Sequence, residues 1–229
     1  MEKYKVVKVI RETADVVTLH LVDGAKGHPN FIAGQCVSVL IPGFDMPGGK
    51  AYSISSIPSD PHFSLTIKEV GAYSKALCGL AVGDELSISQ PYGFLNPQFH
   101  DPIVAIAGGI GISPLISIIR DTLEHDSTRP IQLWYSVATA TDVVFRDQLD
   151  ELSSRYEQFH VEYFVTRDKN PGDGYNVGRI DVAKTLARLN PDPASLYIIC
   201  GHDNFSGDIW RALAAAEVMD NKIATETFF

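Results

Sequence analysis

Apolar positions in the first hundred residues recur at every second place. Phe63-Ser64-Leu65-Thr66-Ile67 and Leu86-Ser87-Ile88-Ser89 alternate apolar and polar side chains, as a strand with one face in a core does. Short β-rich runs lie near 4–12, 15–22, 35–41, 51–57, 62–69 and 85–90. Turn signals divide them: Asp23-Gly24, Gly27, the loop 42–49, Pro58–Pro61 and Gly83-Asp84. Six short strands at this spacing predict a small antiparallel β-barrel. One short helix is expected inside it, over Ser74–Leu80.

The period changes after residue 100. Ile103–Ala107 reads as a buried strand, and Pro114–Leu123 as a helix with Leu115, Ile118, Ile119 and Leu123 on one face. Strands follow at Ile131–Val137, Val161–Thr166, Leu196–Cys200 and Ile223–Phe229. Helices alternate with them at Val143–Tyr156, Asp181–Leu189 and Phe205–Val218. Repeated strand-helix units predict a doubly wound parallel sheet. The two patterns are interrupted near Pro97–Pro102, which divides the chain into domains 1–99 and 100–229.

Composition narrows the function classes. The chain has 229 residues, 45% hydrophobic and 21% charged, within the range of folded globular proteins. Nineteen basic and 28 acidic residues leave a net charge of −9, which argues against nucleic acid and anionic lipid as partners. No apolar run reaches the 18 residues a membrane span needs, and the N-terminus lacks the pattern of a signal peptide. Three scattered cysteines, Cys36, Cys78 and Cys200, supply neither a disulfide framework nor a metal or iron–sulfur site. A reducing cytoplasm is the expected compartment.

Four segments carry candidate chemistry. Gly108-Gly109-Ile110-Gly111-Ile112-Ser113-Pro114 follows a strand and opens a helix. Its glycines let the backbone approach a diphosphate, and Ser113 is placed to cap the helix with Pro114 at its first position. A bare strand-to-helix turn is the plainer alternative. Lys50-Ala51-Tyr52-Ser53 lies on a barrel strand, with Lys50 and Tyr52 on one face and Ala51 and Ser53 on the other. Gly71-Ala72-Tyr73-Ser74 precedes the short helix and suits either a second phosphate group or an ordinary turn. Cys200-Gly201 ends a parallel strand, where α/β sheets bind ligands, although a lone Cys among isoleucines is more often core. The chain ends in two aromatics, Phe228 and Phe229, which also suit a core edge.

Taken in order, these segments resemble the ferredoxin–NADP reductase-like family of flavin reductases, and the resemblance covers essentially the whole chain. Lys50-x-Tyr52-Ser53 is similar to the family's Arg-x-Tyr-Ser strand, and Gly71–Ser74 to its second flavin loop. Pro91-Tyr92-Gly93-Phe94 resembles its Gly-Pro-x-Gly-x-Phe stretch. Gly108–Pro114 resembles its pyridine-nucleotide loop, Cys200-Gly201-His202 its Cys-Gly-Pro, and Glu226-x-Phe228 its C-terminal Glu-x-aromatic ending.

The resemblance implies a flavin-binding barrel followed by a domain for NAD(P)H. Hydride then passes from the nicotinamide to flavin N5. Ser53 would bond near N5, and Tyr52 would pack on the isoalloxazine. Lys50 would face the diphosphate, with Lys in place of the family's planar Arg fork. Gly71 and Ser74 would hold the diphosphate through backbone and hydroxyl, with Ala72, Tyr73, Ala51 and Ile67 lining the same flavin site. Phe228 would stack on the flavin with Phe229 beyond it. Cys200 would lie beside nicotinamide C4, next to Gly201, and Glu226 would steady the Ser53–Cys200 neighbourhood. His202 replaces the family's Pro, and Phe205 stands where the family often has Met.

FAD is expected over FMN, since most relatives of this layout use it. The segment Ser136-Val137-Ala138-Thr139 lacks the Arg that grips a 2′-phosphate in many NADPH-using relatives, so the expected donor is NADH. Arg167 resembles a residue found with both donors. Without an iron–sulfur domain the electrons go to a separate acceptor, a small redox protein such as a ferredoxin or flavodoxin, or an oxygenase component. A free-flavin reductase is the alternative enzyme, and a non-catalytic or electron-transfer subunit the alternative from another class. The expected state is a monomer or small oligomer.

Overall fold

The computed structural model describes residues 1–23, 29–44, 46–93, 95 and 100–228. The turn signals at 24 and 27, Phe94, residues 97–99 of the interruption and the terminal Phe229 therefore lie outside the described residues. The chain divides into two compact units. One comprises Met1–Asn96 with Ile116–Asp121, the other Pro97–Leu115 with Thr122–Phe229.

The first unit is an antiparallel sheet of six strands: β1 (Glu2–Arg11), β2 (Val16–Val22), β3 (Cys36–Leu40), β4 (Lys50–Ser53), β5 (Phe63–Lys68) and β6 (Glu85–Ile88), in the order β4-β3-β6-β1-β2-β5. The two ends of that order meet in a bridge between Ile54 and Leu65, with Ser55 donating its N–H to the Ser64 carbonyl at 2.9 Å. The sheet is thereby closed into a barrel. Alternation decides what fills it. Val17, Leu19 and Leu21 of β2 and Phe63, Leu65 and Ile67 of β5 are almost wholly buried in one core, as period two requires. A register shift between Val6 and Lys8 of β1 resets that strand's alternation midway. The short helix α1 (Ala72–Cys78) begins two residues before the predicted start.

The opposite faces of β2, β4 and β5 are polar yet buried. The Thr18 hydroxyl donates to Glu12 at 2.7 Å and accepts from Thr66 at 2.9 Å, and the Thr66 oxygen lies 2.8 Å from the Ser55 hydroxyl. Within the same unit Ser117 donates to the Ser56 carbonyl, and Arg120 holds both Asp60 oxygens at 2.6 and 2.7 Å. Most buried polar groups here have a partner, as burial demands; among the described residues His20 Nδ1 of β2 and the Ser53 hydroxyl of β4 have none.

The second unit is a parallel sheet. Its strands are β7 (Ile103–Gly108), β8 (Ile131–Val137), β9 (Phe159–Val165), β10 (Tyr175–Val177), β11 (Leu196–His202) and β12 (Ile223–Phe228), in the order β10-β9-β8-β7-β11-β12. Every pairing is parallel. The helices are α2 (Ile112–His125), α3 (Arg146–Arg155), α4 (Val182–Leu189) and α5 (Asp203–Ala215). The predicted doubly wound sheet is therefore present. Among the described residues no helix is long and apolar enough to cross a membrane.

Two departures have local causes. The helix expected from Val143 starts at Arg146, because Phe145 takes a left-handed φ of 60° that stops helical backbone from extending further back. Strand β10 was not expected. Its three residues carry too little pattern, and it is held from outside: the Arg146 guanidinium lies 4.4 Å from the Tyr163 ring and 5.1 Å from the Tyr175 ring, whose centroids are 5.7 Å apart.

Candidate active site

Gly49 turns the chain into β4. Its φ is +72°, and a Cβ there would lie 2.1 Å from the Val39 carbonyl oxygen, so the turn admits only glycine. Sequence reasoning missed this residue; Gly48-Gly49 read only as part of a loop. From the turn, Lys50 and Ala51 stay exposed. The Lys50 ammonium sits 5.6 Å from the centre of the Tyr73 ring. Tyr52 packs half-buried against the barrel core. Burial, then Tyr73 and Cys78, push its hydroxyl above the usual tyrosine range, so it stays protonated.

Ser53 is buried, 5% exposed, and its hydroxyl oxygen has no hydrogen-bond partner among the described residues. An unpaired buried hydroxyl costs free energy. β4 therefore carries, at its end, a polar group that a bound ligand can satisfy.

Three other expected site residues are engaged within the barrel itself. The Ser74 hydroxyl accepts from the N–H groups of Val70 and Gly71 at 2.9 and 3.0 Å and donates to the Gly71 carbonyl at 3.1 Å. A hydroxyl has one donor and two acceptor sites, so Ser74 has none left for a phosphate. Tyr73 turns its ring into the core and donates its hydroxyl to the Val39 carbonyl at 2.6 Å. Ile67 is buried in the barrel interior, 1% exposed. These side chains serve the barrel. Gly71 and Ala72 remain exposed, with open space where a Gly71 side chain would be. The loop can thus offer a ligand its backbone.

In the second unit the strand order reverses between β7 and β11, which is where doubly wound sheets bind ligands. Gly108 ends β7. A 3-10 turn over Gly109–Gly111 then runs straight into α2. This corrects the expected start: the helix begins at Ile112, its N-cap is Gly111, and Ser113 and Pro114 are its second and third residues. Proline is tolerated there because a first-turn N–H has no helical partner. The N-cap supplies no side-chain hydrogen bond; the Ile112 N–H donates to the Gly109 and Ile110 carbonyls and Pro114 has no N–H, so what the start of α2 offers an anion is the positive end of its dipole. A Cβ on Gly111 would lie 2.0 Å from the Cys200 carbonyl oxygen. Glycine brings the helix start onto the end of β11.

Cys200 is fully buried and pairs in register with Glu226 of β12. Burial, with the Glu226 charge behind it, pushes the thiol well above its usual range. Cys200 is a neutral thiol at working pH and not a nucleophile. Burial also pushes Glu226 above the usual carboxylate range. A carboxyl raised in the fold adds stability below its unfolded value, near 4.3, and loses it as pH rises through the folded value. Glu226→Gln is therefore expected to melt higher than the wild type at pH 7, with the gap closing by pH 4. Thermal unfolding across that range checks it, and equal melting at pH 7 would contradict it.

Phe228 stands beside His202 in the same ladder and is half-buried. Arg167 follows β9, two strands from β7, with its N–H on the Ala138 carbonyl at 2.8 Å. It is exposed. Asp142 escaped the sequence reading, which took Thr139 only as part of a segment without Arg. The Asp142 carboxylate accepts from the Thr139 N–H and hydroxyl, both at 2.8 Å. The Thr-x-x-Asp spacing of a capping box was the available signal.

Comparison with known proteins gives these two sites a family. The model of the oxidoreductase NAD-binding domain matches residues 105–209. Ferredoxin–NADP reductase B of Sorangium cellulosum is 30% identical, over 82% of this chain and 80% of that protein. The chain belongs to the ferredoxin–NADP reductase-like family of flavoprotein oxidoreductases. The reductase component of propane 2-monooxygenase from Mycolicibacterium smegmatis is 31% identical over 76% of this chain and 51% of its own length. The flavohem-like FAD/NAD-binding domain of nitric oxide dioxygenase from Vibrio cholerae shares the fold, with a TM-score of 0.88 at 19% identity over 99% of this chain and 98% of that one. The chain spans about half the length of most curated relatives it matches.

Members of this ferredoxin–NADP reductase-like family hold a flavin and bind a nicotinamide nucleotide, and the residues present here fit both. The unpaired Ser53 hydroxyl beside Tyr52 fits a flavin edge. The glycine-only approach of Gly111 to Cys200 and Gly201 fits a dinucleotide at a helix start.

Proposed function

We propose that this chain is an NAD(P)H-oxidising flavoprotein reductase that prefers NADH, holds FAD, and passes electrons to a separate acceptor. The observation that carries the reading is the glycine crevice between β7 and β11, where the start of α2 closes on the buried Cys200. The glycine loop and the positive end of the α2 dipole would hold the donor's diphosphate, and Cys200 and Gly201 would orient its nicotinamide end. In the barrel, Tyr52 and Ser53 would orient the flavin, and the backbone of Gly71 and Ala72 its diphosphate. Accepting hydride and releasing electrons is the chemistry a bound flavin supplies.

The lean to NADH rests on charge. No basic residue lies in Ser136–Thr139, and the Asp142 carboxylate caps that loop at the end of β8. A 2′-phosphate on that side meets a negative group instead of an Arg fork. The acceptor is proposed to be a ferredoxin, a flavodoxin or an oxygenase component, as the names of the relatives suggest.

A free-flavin reductase is favoured by one specific observation. The Ser74 hydroxyl is spent internally, and Lys50 offers a point charge in place of a planar Arg fork, so the flavin diphosphate is held more weakly. One experiment separates the readings. The purified full chain is expected to be yellow, to release one FAD on denaturation, and to be bleached by NADH with a higher kcat/KM than by NADPH. Reoxidation is then followed with ferredoxin, flavodoxin, free FMN and oxygen. Colourless protein that turns over added flavin supports the free-flavin reading. Protein that neither binds flavin nor oxidises NAD(P)H defeats both.

A further inference from the structure

We propose that Phe205 is a positioning residue that sets the shape of the nicotinamide end of the donor's seat through Gly108 and Gly201. The inference rests on the reading of the β7–β11 crevice as the donor site.

The argument starts from alternation. Val104 and Ile106 of β7, and Tyr197 and Ile199 of β11, place their side chains in one buried cluster, and Phe205 packs against it. Two residues further along each strand, the same face reaches Gly108 and Gly201. Side chains there would continue the cluster, but the Phe205 ring has taken their place. A Cβ on Gly108 would meet three ring carbons at 2.7, 2.8 and 2.9 Å, and one on Gly201 would meet the ring at 2.7 Å. A single ring thus covers the ends of both strands at the point where the strand order reverses.

The other side of the β11 end is also gripped. Gly111 closes on the Cys200–Gly201 peptide so tightly that a Cβ would lie 2.0 Å from one atom and 2.8 Å from another. The backbone that would orient the nicotinamide is therefore held between two contacts, the helix start and the Phe205 ring. The helix start is fixed by backbone against backbone. The ring is the adjustable contact, since its volume decides how closely Gly108 and Gly201 approach. Phe205 is the third residue of α5, so its place follows the helix.

This arrangement predicts a selective effect. In such sheets the adenosine half of a dinucleotide lies toward β8 and the nicotinamide half toward β11. A change at Phe205 should loosen the second half and spare the first. The test is calorimetric titration of the flavin-loaded full chain with NAD+, NADP+ and ADP-ribose, for the wild type and for Phe205→Ala, Phe205→Leu and Phe205→Met. Phe205→Ala is expected to weaken the preferred dinucleotide about tenfold or more while ADP-ribose changes less than about twofold. The unbranched Met can lie in the same slot and is expected to keep affinity within about threefold of the wild type. If Phe205→Ala does not fold, Phe205→Leu carries the test, because its branched end cannot lie against both glycines; a loss of at least about threefold is expected. Unchanged dinucleotide affinity overturns the proposal. So does equal weakening of ADP-ribose, which would mean general loosening, or tighter binding, which would make the ring a plug. A wild type that binds no dinucleotide overturns the crevice reading itself.

Discussion

Gly111→Ala is expected to cost the second unit more stability than any other single methyl added to the glycine loop, and to abolish dinucleotide binding. The usual tendency runs the other way. Gly111 has an ordinary helical backbone, φ −57° and ψ −12°, and alanine in helical backbone normally gains about 0.5–1 kcal/mol over glycine. Here the added carbon would lie 2.0 and 2.4 Å from the carbonyl oxygen and carbon of Cys200 and 2.8 Å from the Gly201 nitrogen. All three are backbone atoms of a buried central strand, and no rotamer change can move them. Overpacking a well-filled core costs about 1–3 kcal/mol even where side chains can yield. The clash therefore outweighs the propensity gain. Gly109→Ala is the control: its φ of +54° strains a side chain, but nothing lies within 4 Å of the added carbon. The expected order of melting temperatures is wild type, then Gly109→Ala, then Gly111→Ala, with NAD+ titration confirming the loss of binding in the last. Wild-type melting and affinity for Gly111→Ala would remove the close approach on which the crevice rests.

Ser53→Ala is expected to split stability from rate. A buried hydroxyl without a partner is a cost to the fold, so its removal should leave the melting temperature unchanged or raise it. The same hydroxyl is the group proposed to meet the flavin. Losing one such oriented donor at a reacting centre typically costs about 10²–10³-fold in rate. Stopped-flow reduction of the variant by NADH should therefore slow by that order, with NADH affinity little changed. A residue with a purely structural role would show the opposite pattern. An unchanged single-turnover rate would refute the role given to Ser53.

The two experiments depend on different kinds of legibility. The Gly109-x-Gly111 loop was readable because a tight strand-to-helix turn demands residues that few other contexts demand. Ser53 was readable only through a resemblance, since one serine on a half-buried strand carries no local signal. Ser74 shows the limit. Its place in Gly71-x-x-Ser74 was apparent, but whether its hydroxyl meets a ligand depends on three short distances to Val70 and Gly71. Tyr73 and Ile67 show a related limit: both lie next to the proposed site in sequence while their side chains are buried in the barrel. Strand β10 was missed because three residues are too few to display a period.

The sequence by itself determined the elements and their class. Period two over the first ninety residues and alternating strand and helix periods after residue 100 state which faces are buried, and burial follows from hydrophobicity alone. The order of the motifs also sufficed to name the family. Only the tertiary structure decided how polar capacity is spent and which glycines are sterically required. It left Ser53 unpaired, saturated Ser74, kept Cys200 a neutral thiol, and placed Gly111 and Phe205 on either side of the end of β11. Those outcomes depend on distances between residues far apart in the chain, such as Phe205 from Gly108 or Gly111 from Cys200. A local pattern encodes a residue's own backbone and burial, and carries no record of its partner.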